Sequence, residues 1–272
     1  MRIQKSFVAL AALVIVCGAS GAAGGILAQH LRHNQQTGDT VSEVTTNGKA
    51  TLSSKSSDVS IPSIVSKTSP AVVDITTQST TFSFFGGPQT QQGAGTGMIL
   101  TSSGYILTNN HVLPVDGGNI TVTLQSGKQY TAKVVAADSQ KDLALLKIKG
   151  SGLPTVTLGN SDQEQVGSSV IAIGNALGQF QNSVVTGIIS GTGRSVQASD
   201  QGSASSEALS GLFQTDAAIN PGDSGGPLID LGTGAVIGMD TAVASDGQGI
   251  GFAIPINEAK SFIAPYVNNG QA

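Results

Sequence analysis

A serine, Ser224, sits in the run INPGDSGGPLID, Ile219 to Asp230, among three glycines and two prolines just before an apolar segment. Residues of these types build tight turns for ordinary backbone reasons. A serine hydroxyl is also a weak nucleophile at neutral pH, so chemistry at Ser224 requires a general base, almost always an imidazole, and a group that orients it. The chain has three histidines. His30 and His33 fall in a polar N-terminal stretch and read as solvated side chains. His111, in GYILTNNHVLPVD, stands at the end of an apolar strand, where a rigid scaffold can present a side chain to a cleft. The orienting carboxylate should be buried, and a buried Asp is rare unless paired. Asp142, in SQKDLALLKIKG, directly precedes the apolar run Leu143 to Leu146, which draws it inward; Asp138, in the polar turn ADSQ, reads as exposed.

Gly222, Ser224 and Gly226 also satisfy G-x-S-x-G, which in α/β-hydrolases marks a strained strand-to-helix turn. That mechanism needs a histidine after the serine, and none follows Ser224. The order Asp, His, Ser would be open to Asp74, but it belongs to an α/β fold that the strand pattern opposes. His111, Asp142, Ser224 is the order found in two-barrel serine peptidases.

The elements that would position these residues are short apolar or alternating runs with β-branched content and turn punctuation. One set covers Ala71 to Ile75, Gly97 to Leu100, Gly104 to Leu107, Ile120 to Leu124, Lys133 to Ala137 and Leu143 to Ile148. The other covers Ser169 to Gly174, Val184 to Ser190, Leu212 to Thr215, Pro227 to Ile229, Ala235 to Met239 and Ile250 to Ile254. Two such sets predict an all-β fold of two packed antiparallel barrels. The intervals are too short and polar for crossover helices. Only INEAKSFIAPYV, Ile256 to Val267, reads as helical, with Asn257 as N-cap and Pro265 limiting its length. With aromatics at 4% and no Trp, the core must be built from Val, Ile, Leu and Ala.

The net charge of -4 and the scattered 13 Lys and Arg leave no basic footprint for nucleic acid. The one cysteine, Cys17, lies in the N-terminal apolar stretch, so no disulfide forms within the chain and the folded part has no thiol nucleophile. No metal or cofactor is expected. Residues 1–29 read as a signal peptide or membrane anchor: Arg2 and Lys5 precede an uncharged stretch, Ser6 to Gln29, long enough to span a bilayer. That order of charge places the rest of the chain outside the cytoplasm, at the plasma membrane, or secreted if the leader is cleaved. Residues 30–60, rich in Gln, Ser, Thr, Gly and Asn, read as a flexible linker. The folded domain is assigned to 61–268.

LTNNHVL, KDLALLKI, QTDAAINPGDSGGPL and GIGFAIP together resemble the protease domain of the HtrA/DegP family of extracytoplasmic serine endopeptidases, over roughly Ile61 to Val267. The resemblance implies a chymotrypsin-like double β-barrel with a short C-terminal helix. It also implies a triad of His111, Asp142 and Ser224, an oxyanion hole from the N-H groups of Gly222 and Ser224, and unfolded or damaged polypeptides as substrates. Ala218 and Ile219 would lie at the base of the specificity pocket and Asp240, Thr241 and Ala242 along its wall, favouring a small aliphatic side chain. A homotrimer is implied as well, with Phe82, Phe84 and Phe85 either meeting neighbouring subunits or folding onto the barrel. The peptide-binding PDZ domain usual in the family is not expected in this chain. Asp223 stands where many members carry Asn, with Arg194 as one candidate for organising its loop; an exposed loop charge is the other reading of Arg194. The segment 191–210 reads as a long polar loop. The rival of another class is a non-catalytic barrel that binds unfolded chains.

Overall fold

The computed structural model describes residues 60–83, 87–114, 117–176, 180–198, 207–243 and 249–267. The leader, the linker before Ser60, and Phe84 and Phe85 lie outside them. Among the described residues no helix is long and apolar enough to cross a membrane.

A helix that the sequence pattern does not announce comes first. Helix α1, Ile61–Thr68, is capped by Ser60, whose side chain accepts from the Ser63 N-H at 3.4 Å, and carries Pro62 in its first turn. Pro is pre-organised for that position because its missing N-H would be unpaired there anyway. Eight residues are too few to show helical periodicity; Ile64 and Thr68, one turn apart, are what α1 buries.

Seven strands come next in one antiparallel sheet: β1 Val72–Ser83, β2 Gly87–Ile99, β3 Tyr105–Thr108, β4 Asn119–Leu124, β5 Gln129–Thr131, β6 Lys133–Asp138 and β7 Leu143–Lys147. Their order is β5-β4-β1-β2-β3-β7-β6. Alternation on β4, with Ile120, Val122 and Leu124 buried, is the signature of a strand with one face on a core. Ile75, Met98, Ile106, Leu107, Leu145 and Leu146 are fully buried within that core. The long β1–β2 hairpin runs in unbroken register from Val72↔Met98 to Ser83↔Gly87, and places Phe82 on its backbone ladder.

The second half comprises β8 Ser169–Ala176, β9 Phe180–Ala198, β10 Glu207–Thr215, β11 Pro227–Asp230, β12 Val236–Val243 and β13 Gly251–Pro255. These close into a barrel, β10-β13-β12-β11-β8-β9, which leaves no unpaired edge. The expected loop at 191–210 is largely strand: β9 continues to Ala198 and β10 starts at Glu207, with Leu209 paired to Val196 and Ala208 to Gln197. Its polar composition goes with the exposed residues 192–195 of β9 rather than with irregular backbone.

Helix α2, Ile256–Ile263, leaves β13 directly at Pro255, so the expected N-cap, Asn257, lies inside the helix. The Asn257 N-H is satisfied by Ser161 Oγ at 3.1 Å, and its side chain donates to Asn160 Oδ1 at 2.7 Å. The helix ends two residues before Pro265, which has no N-H with which to continue the ladder. The whole is mostly β, a chymotrypsin-like double barrel with a short C-terminal helix.

Candidate active site

Strand β3 ends at Thr108, and a 3-10 turn over Asn110–Val112 carries His111 out of the sheet. Asp142 meets it from the start of β7. The Asp142 carboxylate accepts the His111 backbone N-H at 3.0 Å and lies 3.0 and 2.9 Å from Nδ1 through its two oxygens. The Thr241 hydroxyl, from β12 of the second barrel, donates to Asp142 Oδ2. These contacts hold a carboxylate that is only 1% exposed.

Asp142 takes a left-handed backbone conformation, with φ of 53°, one that a non-glycine residue holds only when its surroundings insist. The buried Asn109 side chain does so by donating Nδ2 to the Asp142 carbonyl at 3.0 Å.

Ser224 arrives from the second barrel, in the turn between β10 and β11. Its hydroxyl donates to the Thr241 carbonyl at 3.2 Å. Thr96 of β2 fastens this turn to the first half twice and ties in β8 with a third bond. Its N-H donates to Ser224 O at 2.8 Å, its hydroxyl donates to Gly222 O at 2.7 Å, and the same hydroxyl accepts from Asn175 N at 3.0 Å. The peptide between Gly222 and Asp223 is thereby fixed at both ends, since the Asp223 N-H donates to Asn220 O at 3.0 Å. The flanking N-H groups of Gly222 and Ser224 have no acceptor among the described residues. Gly222 can hold this geometry because its φ is 97°, a conformation essentially reserved for glycine.

Behind the turn lies a group of buried carboxyls. Burial raises the Asp223 carboxyl above its ordinary range despite a hydrogen bond from Asn220 N. It raises Asp240 well above that range, with the Asp223 charge adding to the effect. Asp74 on β1 is held at about 6, from an ordinary 3.8, by burial working against a hydrogen bond from the Asn175 side chain.

The Asp74 shift has a consequence for stability. An Asp raised in the folded state keeps its proton after the unfolded chain has lost it, so its contribution is complete below about 3.8 and is lost as pH rises to about 6. The unfolding free energy is therefore expected to fall across that window, by less than the about 3 kcal/mol of the full shift because solvent screens a half-buried group. Asp74→Asn should flatten the fall; an unchanged slope in urea titrations would show that another group causes it.

A family model described as a trypsin-like peptidase domain matches residues 95–239, more than half of the 272-residue chain and all three residues just placed. The chain belongs to the trypsin-like peptidase family. It is 47% identical over 184 residues to a probable periplasmic serine endoprotease, DegP-like, of Chlamydia trachomatis, covering 65% of this chain and 34% of that protein. It is also 47% identical over 172 residues to a putative serine protease, HhoB, of Synechocystis sp., covering 63% and 39%. The chain thus spans well under half the length of these relatives. Among solved structures it resembles the HtrA-type protease AlgW with a decapeptide, at a TM-score of 0.64 and 36% identity over 78% of this chain and 69% of that one. A serine endoprotease from Yersinia pestis superposes at 0.61 with 33% identity, over 78% and 68%.

Within this trypsin-like domain, the residues assigned to the pocket wall face two ways. Thr241 gives its hydroxyl to Asp142, and Asp240 is fully buried beneath the nucleophile turn, so neither carboxyl nor hydroxyl is free to line a cleft. The Ala242 side chain lies outside the described residues. Ala218 is exposed, with its carbonyl accepting from Asn220 Nδ2 at 2.8 Å, while Ile219 is buried beside Gly251. Arg194 is not the partner of Asp223: it is exposed on β9, with its guanidinium folded over Gly191. Among the described residues no group of three or more His, Cys, Asp or Glu side chains is placed to hold a metal ion. Thr96, Asn109 and the positioning role of Thr241 are visible only in the structure.

Proposed function

We propose that this chain is a serine endopeptidase acting outside the cytoplasm on unfolded or damaged polypeptides. The observation that carries the reading is the grip of the Asp142 carboxylate on both the His111 ring and the His111 backbone N-H. With Nδ1 committed to the carboxylate, Nε2 is the nitrogen that takes the Ser224 proton. Ser224 Oγ then attacks the scissile carbonyl, and the imidazolium returns the proton to the leaving amine, giving an acyl-enzyme that water hydrolyses. Asp142 stabilises the imidazolium. The N-H groups of Gly222 and Ser224 receive the oxyanion.

In this reading Ala218 and Ile219 form the base of a pocket for a small aliphatic side chain, residues 61–268 are the peptidase domain, and the leader keeps it at the membrane or exports it. The periplasmic naming of the Chlamydia relative agrees with that location, and a homotrimer is the assembly proposed. The test is digestion of a reduced, unfolded protein beside the same protein in its native fold. Preferential cleavage of the unfolded form after Val, Ala or Ile, absent in Ser224→Ala, is the expected result. Cleavage after Lys or Arg would overturn the pocket assignment, and no cleavage of either form would count against the endopeptidase.

Thr96 gives a second check. Thr96→Val keeps the shape and the backbone bond to Ser224 O but removes the hydroxyl from Gly222 O and Asn175 N. Slackening the oxyanion turn by a fraction of an ångström should lower kcat about 10- to 100-fold with little change in KM. Unaltered steady-state kinetics would show that the turn holds its shape without the hydroxyl.

A further inference from the structure

Asp223 and Asp240 are two buried carboxyls with too few partners. Asp240 is 0% exposed and neither of its side-chain oxygens has a hydrogen-bond partner among the described residues; Asp223 is 5% exposed, with Oδ2 on Asn220 N at 2.9 Å and Oδ1 unpartnered. The backbone holds their segments together. Gly225 N donates to Asp240 O at 2.8 Å, and Asp240 N donates to Gly226 O at 2.9 Å. Asp223 is pressed against β8 so closely that a Cβ on Gly174 would stand 2.4 Å from its Oδ1.

The elements packed around the two groups bring no cation to them: helix α2, which packs on β12 and β13, carries Lys260 and Glu258, but Lys260 Nζ donates to the Gly159 carbonyl and Glu258 pairs with Lys141. Strands β2, β8 and β13 carry no titratable residue, and β12 carries only Asp240. Asp230 ends β11, Glu207 begins β10 at the hairpin end away from Thr215, and Asp216 accepts from Ile188 N at 2.7 Å. Asp74 reaches the region through Asn175, and Asp142, paired with His111, accepts from the hydroxyl of Thr241, the residue that follows Asp240. Two buried carboxyls on segments tied together by backbone hydrogen bonds, with the charge of Asp223 felt at Asp240, cannot both stay ionised in such surroundings, whereas one retained proton can convert one of them into a donor for the other. An O-H···O⁻ bond of that kind is short and strong.

We propose that Asp240 and Asp223 share one proton, and that Asp240 is thereby a positioning residue that fixes the Gly222–Ser224 turn through Asp223. The catalytic consequence rests on the endopeptidase reading; the shared proton does not. Asp223 lies between the two N-H groups assigned to the oxyanion, so its orientation sets theirs. Loss of the shared proton to solvent leaves two buried anions, whose repulsion strains the turn carrying Asp223. Stability and turn geometry are present while the pair holds its proton and are lost as pH rises through the ionisation that removes it.

The test uses the full chain and two readouts between about pH 6 and 10. The first is the infrared C=O band of a protonated buried carboxyl at pH 7. The second is the rate of covalent labelling by a fluorophosphonate, a probe that needs no knowledge of the substrate. The expected result is a band in the wild type that disappears in Asp240→Asn. The wild-type labelling rate should fall up to tenfold per pH unit above the ionisation, and the ratio of alkaline to neutral rate should be restored towards one in Asp240→Asn, where an amide donor replaces the proton at every pH. A wild type without the band, or a variant whose alkaline decline matches the wild type, overturns the proposal. A band with no labelling at any pH would leave the shared proton standing and remove the endopeptidase reading. Should Asp240→Asn not fold, Asp223→Asn replaces it in the infrared arm, with the same loss of the band expected and its persistence contradicting the pair.

Discussion

Asp142→Asn is expected to lower kcat by about 10⁴-fold, with the protein folded and KM changed little. The carboxylate accepts from three donors at once: Nδ1-H, which lies within reach of both oxygens, the His111 backbone N-H and the Thr241 hydroxyl. An amide of the same shape keeps one acceptor and replaces the other with a donor. Faced with a donor, Nδ1 must become the unprotonated nitrogen, which puts the ring proton on Nε2 and leaves no base towards Ser224. The imidazolium formed during reaction also loses its counter-charge. Steady-state kinetics of the purified variant check this; a loss of only tenfold would mean that something other than Asp142 orients His111.

Gly225→Ala is expected to abolish activity and to destabilise the fold by roughly 3 kcal/mol or more. Gly225 has φ of 90°, where an L side chain is strained wherever it points. A Cβ there would stand 2.1 Å from the Thr96 carbonyl oxygen and 2.4 Å from Thr108 Oγ1. Those two groups cannot withdraw independently, because Thr108 Oγ1 donates to Thr96 O at 2.7 Å and Thr96 also holds Ser224 and Gly222. Relief of the clash therefore moves the nucleophile turn away from β2. Thermal unfolding and fluorophosphonate labelling read the two effects separately; wild-type behaviour in both would contradict the packing described here.

Much of this arrangement is legible in the sequence because its signals are local. Asp142 announces itself by preceding a run of four apolar residues, and His111 by being the one histidine beside a strand. The strands of both halves are marked by β-branched runs and turn residues. The features that escape lack a local signature. β5 is three residues long, and α1 shows only two buried positions. The paired strand ends at 191–198 and 207–210 include the exposed run 192–195, whose polar composition alone does not separate strand from loop. Thr96 is a threonine among glycines whose role is defined by a residue 126 positions away. The family pattern draws Asp240 towards the pocket, yet its carboxyl is the most deeply buried acid of the site. Its distinguishing partner, Asp223, lies in a separate turn and becomes a neighbour only once β11 and β12 pair.

The central claim is that Ser224 is a nucleophile activated by His111. Fluorophosphonate labelling of the full chain, with Ser224→Ala and His111→Ala alongside, measures that directly. One equivalent of label on the wild type, none on Ser224→Ala and a rate reduced by orders of magnitude in His111→Ala is the predicted result. Labelling that survives the loss of Ser224, or no labelling of a wild type shown to be folded, would contradict it.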